Sequence, residues 1–176
     1  MGRIIEVRIC MSGLKYGVVC EESCIRKNIG SFDVYVICHA GECDSSVREL
    51  AEKFDENVVR KLQAICTGVG GCSEIMIENE SLCCRTRLEN MPGLSSLISA
   101  LKKKGIKVNV QRGQVVICAQ LGDINEAAEN IRSAFLLLES VYDTQRRIAE
   151  GVAKSIMAVE GERGGHKHER KQGGQS

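Results

Sequence analysis

Residues 114–160 read QVVICAQLGDINEAAENIRSAFLLLESVYDTQRRIAEGVAKSIMAVE, and the spacing of their apolar side chains changes once. Val115 to Cys118 is a short run of β-branched and small apolar residues, as a buried strand prefers. Asp123 follows at an N-cap position, with Glu126 three residues on, so the sequence predicts a capping box that satisfies the orphan N–H groups of a new helix. From there positions 131, 135, 138, 142, 145, 149, 152, 156 and 159 advance by four and three in alternation. Eight of those nine are apolar, and Gln145 is the polar exception. Such a heptad seam is long for a helix of a globular domain. Its first half is broadly apolar (Phe135, Leu136, Leu137, Leu138), and its second carries a narrow stripe flanked by Arg146, Arg147, Glu150 and Lys154. A helix of about 36 residues would be roughly 54 Å long. The pattern therefore predicts a helix that begins in a core and ends as a docking surface, with Phe135, Leu138, Tyr142, Ala149, Val152, Ile156 and Val159 as partner-binding residues.

Upstream, the predicted elements alternate in a way that suits a largely antiparallel sheet. Ile4, Ile5, Val7 and Ile9 with Cys10 form a first strand, Tyr16 to Cys20 a short second candidate, and 21–30 a polar loop. Residues 33–38 (DVYVIC) form a further strand. A single helix is expected to follow, with Ser46 and Glu49 as its capping box and Val47, Leu50, Ala51, Phe54, Val58, Leu62 and Ile65 on one face. It would stop at Gly68. Two strands flank Glu78 to Ser81 as a hairpin. Pro92 is expected to open a helix over residues 93–104, Gly105 to close it, and Ile106, Val108 and Val110 to alternate along a one-sided strand. Val36-Ile37-Cys38 and Phe54 find an echo in Val116-Ile117-Cys118 and Phe135, which suggests two related halves, 1–80 and 81–160. Residues 161–176 (GERGGHKHERKQGGQS) contain no apolar side chain and are expected to form a disordered basic tail. The fold class is α+β, with helices on one face of the sheet and a long C-terminal helix.

Composition narrows the function classes. The chain has 176 residues, 43% of them hydrophobic and only 3% aromatic, with a net charge of +1. That implies an aliphatic core, no base-stacking platform and no global field for a polyanion. No apolar run reaches the length of a membrane span, and the alternating N-terminus does not read as a signal peptide, so a cytoplasmic location is expected. In that compartment the ten cysteines would be mostly reduced.

Three chemistries compete. Cys20, Cys24, Cys43 and Cys72 would make a tetrahedral zinc site if their loops converged, although their spacings are looser than those of zinc ribbons. In the same class, His39 beside Cys43 would make a thiolate–imidazole pair. Lys102, Lys103 and Lys104, with the basic tail, would give an RNA-binding module. The glycine run at Thr67 to Gly71 follows a helix rather than a strand, which does not suit a phosphate loop. The third class, a non-enzymatic interaction subunit without cofactor, rests on the heptad seam.

The order strand, helix, tight hairpin, long helix over residues 81–150, with Asp123 opening the last helix and the small-residue patch Arg132-Ser133-Ala134-Phe135, resembles the small dimer-forming subunit of the KEOPS complex. That complex helps to install threonylcarbamoyl-adenosine in tRNA. The resemblance implies a non-catalytic scaffold that self-associates as a homodimer within a larger complex and holds a kinase-like partner.

Overall fold

The computed structural model describes residues 4–12, 23–39, 41–67 and 70–168, with side chains described as far as residue 159. In chain order the elements are β1 (Ile4–Met11), β2 (Cys24–Ile29), β3 (Phe32–Cys38), α1 (Ser45–Glu52), α2 (Glu56–Cys66), β4 (Cys72–Glu78), β5 (Ser81–Glu89), α3 (Ser95–Lys103), β6 (Ile106–Gln111), β7 (Gln114–Gln120) and α4 (Ile124–His168). The strands form one seven-stranded sheet in the order β2-β3-β1-β4-β5-β7-β6, and every pairing is antiparallel. The α+β class with a largely antiparallel sheet is thus what the chain adopts.

Directly opposed residues of neighbouring strands share a face, so the register shows how the sheet divides. Ile25, Val36, Val7, Ile75, Cys84, Ile117 and Val108 stand on one line across all seven strands. This line is apolar and, apart from Ile25, buried. The helices cover this face. Lys27, which shares it, reaches the C-terminal end of α1, its Nζ donating to the carbonyls of Glu52 and Phe54 at 3.2 Å each. Lys61 Nζ of α2 donates to Asn125 Oδ1 at the start of α4, 2.6 Å away. Phe54, Val58, Val59, Leu62, Ile131 and Leu138 are all fully enclosed. The opposite face carries the line Cys24, Ile37, Glu6, Met76, Cys83, Cys118 and Lys107, which is mixed in polarity.

The tight turns follow from backbone chemistry. Asn79 and Glu80 lie at φ 50° and 59°, and Arg112 and Gly113 at 53° and 81°. Two consecutive positive φ values characterise the two-residue turns whose twist matches antiparallel strands. The hairpins expected around residues 78–81 and 112–113 are therefore both present.

Several local expectations need correction. The polar stretch CIRKNI, read as loop, is the edge strand β2. Residues after Cys43 form two helices instead of one, capped by Asp44 and Asp55, whose side chains accept the N–H groups of Val47 and Val58 at 3.1 and 3.0 Å. Asp44, not Ser46, is the first cap. Pro92 lies ahead of α3, whose first residue is Ser95. The echo between the halves has a topological limit. β1-β3-β2 and β5-β7-β6 flank β4 with corresponding strands running the same way, in reversed lateral order. Residues 80 and 81 fall in the β4–β5 hairpin, and the chain forms two compact units, Met1–Leu137 and Leu138–Ser176. Helix α4 continues to His168, eight residues into the segment expected to be a disordered tail. The strand candidate at 16–20 lies outside the described residues.

Candidate functional site

Helix α4 starts as expected: Asp123 Oδ1 accepts the N–H of Asn125 at 2.9 Å, and Asp123 O accepts that of Ala127 at 2.9 Å. Along the first four turns Ile124, Ala127, Ala128, Ile131, Ala134, Phe135 and Leu138 are buried. Phe135 and Leu138, placed by the seam on the docking surface, are thus enclosed within the chain itself. Tyr142 and Gln145 are half-buried. From Ile148 onward the pattern inverts. Ile148, Val152, Ile156, Met157 and Val159 are between 47% and 70% exposed, and Ala149 is exposed with them. Ala149, Val152, Ile156 and Val159 keep their place on the surface. Ile148, absent from the heptad reading, widens the seam, whereas Met157 lies about 180° round the helix from Ile148. The recurrence of Ile148, Val152 and Ile156 at intervals of four was the available signal.

The sheet face that carries Glu6, Asp33 and Arg85 is the second candidate, and sequence reasoning missed it. Arg8 Nε donates to Glu6 Oε2 at 2.6 Å, and His39 Nε2 meets Glu6 Oε1 at 2.9 Å. Burial pushes the Glu6 carboxyl up, but hydrogen bonds from Arg8 and His39 outweigh it and hold the group below its ordinary range. Arg26 Nη2 donates to Asp33 Oδ2 at 3.2 Å, Asn28 Nδ2 to Asp33 Oδ1 at 3.0 Å, and the Arg26 guanidinium stands 5.8 Å from the Tyr35 ring centre. The Asn28 hydrogen bond, aided by Arg26, lowers the Asp33 carboxyl against the effect of burial. Arg85 donates to Gln111 Oε1 at 3.1 Å and pairs with Glu74 at 3.8 Å. These are mutually satisfied charges, which suit a polar surface better than a reaction centre.

The cysteines behave differently from the expectation of reduced thiols. Cys38–Cys43, Cys72–Cys84 and Cys83–Cys118 are disulfides, and Cys24 is disulfide-bonded too. The sheet register explains one pairing directly, since Cys83 and Cys118 are opposed across β5 and β7. No spacing argument along the chain reveals such a neighbour. The proposed zinc set is not brought together: Cys43 and Cys72 are bonded elsewhere, and Cys20 lies outside the described residues. Among the described residues no group of three or more His, Cys, Asp or Glu side chains is placed to hold a metal ion. His39 meets Glu6 and not Cys43, so the thiolate–imidazole pair is absent. Of the free thiols, Cys10 is buried, and Cys66 is pushed up to about 11 by burial, which keeps it protonated and unreactive at neutral pH.

Lys102 and Lys103 occupy the last turn of α3 and Lys104 its C-cap, all exposed, where they complement the helix dipole. No described helix is long and apolar enough to cross a membrane. No family model, no curated protein and no solved structure matches this chain.

Proposed function

We propose that this protein is a non-enzymatic assembly subunit that pairs with a second copy of itself through the apolar face of α4 beyond Gln145. The observation that carries the reading is the exposure of Ile148, Val152, Ile156 and Val159 on one helix. Apolar side chains at helical spacing gain little from water, and a contiguous group of them marks an interaction surface. A second copy is the favoured occupant because the seam is self-complementary: a two-fold axis sets the same aliphatic stripe against itself with no charge to desolvate at its centre. Covering Ile148, Ala149, Val152, Ile156 and Val159 on both copies removes on the order of 1,000 Å² from water, about the threshold for a specific interface.

The polar sheet face is then left for a larger partner. The order β5-α3-β6-β7-α4 is the one that resembles the small KEOPS subunit, and it supports extending the reading to an assembly that modifies tRNA. In that setting the subunit organises partners and the chemistry belongs to another chain.

Light scattering on the full chain tests the self-association. The expected result is a dimer that becomes a folded monomer in Val152→Glu/Ile156→Glu. A monomeric wild-type chain at all accessible concentrations removes the proposal.

A further inference from the structure

The disulfide Cys83–Cys118 differs from Cys38–Cys43 and Cys72–Cys84 in one respect. Both sulfurs of the other two belong to buried residues, whereas Cys118 is partly exposed and lines a cavity of about 390 Å³. Its lining residues Ser81, Lys107, Cys118 and Gln120 share the sheet face of Cys83. Its charged lining groups are Lys102, Lys107 and Glu80, and Ser81 and Gln120 add hydrogen-bonding side chains. Lys107 is the direct cross-strand neighbour of Cys118 on β6, as Cys83 is on β5.

This placement matters for reactivity. Thiol–disulfide exchange proceeds by in-line attack, with the incoming thiolate opposite the leaving sulfur. In the strand order β5-β7-β6, Cys83 lies on one side of Cys118, and the side opposite it is where Lys107 stands. The cavity and a cation therefore border Cys118 on the side away from its partner, while Cys83 is buried. Two lysines against one carboxylate favour an anionic attacker, and the volume suits a molecule of tripeptide size.

We propose that this cavity binds a low-molecular-weight thiol bearing carboxylates, and that Cys118 is the residue it modifies. The thiolate sulfur forms a bond to Cys118 Sγ, and the Cys118–Cys83 bond breaks. The electron pair leaves on Cys83, which takes a proton from solvent. The ligand sulfur and Cys118 end as a mixed disulfide, so no outside oxidant is required. The Cys83 thiol stays beside the adduct and reverses the reaction when the free thiol is depleted.

The test uses the full oxidised chain with glutathione as the anionic probe and cysteamine as a cationic one, with rates compared per thiolate. Acid quenching, alkylation and non-reducing peptide mapping then locate the adduct. The expected result is glutathione on Cys118, an alkylated Cys83, and a faster reaction with glutathione than with cysteamine. Lys102→Gln/Lys107→Gln lies on an exposed helix end and an edge strand and is expected to fold. In it the glutathione rate should fall by about tenfold, with cysteamine unslowed. Adducts appearing first on Cys83 or on another cysteine, equal rates for the two probes, or an undiminished glutathione rate in the folded lysine variant would each overturn the proposal. So would the absence of any adduct.

Discussion

The Thr86 hydroxyl donates to the carbonyl of Val115 at 2.8 Å at the point where the β5–β7 ladder is interrupted. The same hydroxyl accepts the N–H of Leu88 at 3.1 Å, and Thr86 is fully buried. A side chain thus stands in for the backbone pairing that the irregularity between Arg85 and Glu89 removes. Thr86→Val keeps the shape but leaves a buried carbonyl and a buried N–H without partners. We expect a loss of about 2 kcal/mol, read from urea unfolding, with an unchanged slope.

Position along α4 separates stability from association. Leu138 is fully enclosed, so Leu138→Ala should destabilise the chain by about 2–5 kcal/mol. Ile156 is 55% exposed, and Ile156→Ala should change the stability of the monomer by less than about 0.5 kcal/mol. It should nevertheless weaken the dimer, as sedimentation at several concentrations would report. Equal stability losses at the two sites would contradict the division of the helix into core and surface.

Acid sensitivity is expected from Glu6 and Asp33. Both carboxyls are held below their ordinary values of 4.5 and 3.8. A group whose folded pKa is lowered contributes stability above its unfolded value and loses it as the pH falls through the folded one. Stability should therefore decline below about pH 4.5 as the two groups protonate. Asp33→Asn should be less stable than wild type at pH 7 and show a flatter acid limb. A parallel acid limb in that variant would show that Asp33 carries none of the dependence.

The disulfides should contribute unequally. Cys83–Cys118 closes a loop of sequence separation 35 and Cys38–Cys43 one of 5. In the chain-entropy account their removal costs about 4 and about 2 kcal/mol respectively. Paired Ser substitutions, compared by thermal unfolding under oxidising conditions, check the order. The short loop proving the costlier to lose would mean that strain or denatured-state structure outweighs loop entropy.

What the sequence made legible followed from local chemistry. β3, β7 and the two hairpins were readable because β-branched runs and turn residues act within a few positions. The start of α4 was readable because Asp123 caps it. β2 was missed because an edge strand buries little: Arg26 and Asn28 face solvent and partner Asp33, so the segment looked like loop. The break between α1 and α2 was hidden by Phe54, which sits at the interruption and still fills the core, preserving the apolar rhythm across it. On the candidate site, the heptad pattern marked Val152, Ile156 and Val159. It was blind to where burial ends, because Leu138 and Val152 look alike in the sequence although one is fully enclosed and the other 54% exposed. Of the ionic pairs on the other sheet face, Arg26–Asp33 and Arg85–Glu74 depend on the β2–β3 and β4–β5 registers, which the sequence pattern did not reveal.

Cys83 and Cys84 are successive residues that point to opposite faces of β5, one tied to β7 and the other to β4. A single peptide unit is therefore the shared node of two covalent rings, and the three strands around it cannot part without reduction. Heat or denaturant applied to the oxidised chain should melt its outlying elements while leaving this knot of backbone tethered. α3 and β6 lie along the larger ring, so they would return to a closed loop whose ends are already joined. Under oxidising conditions residues 72–118 form a doubly cross-linked middle, with the smaller Cys38–Cys43 ring on its N-terminal side, and the denatured state should be correspondingly compact.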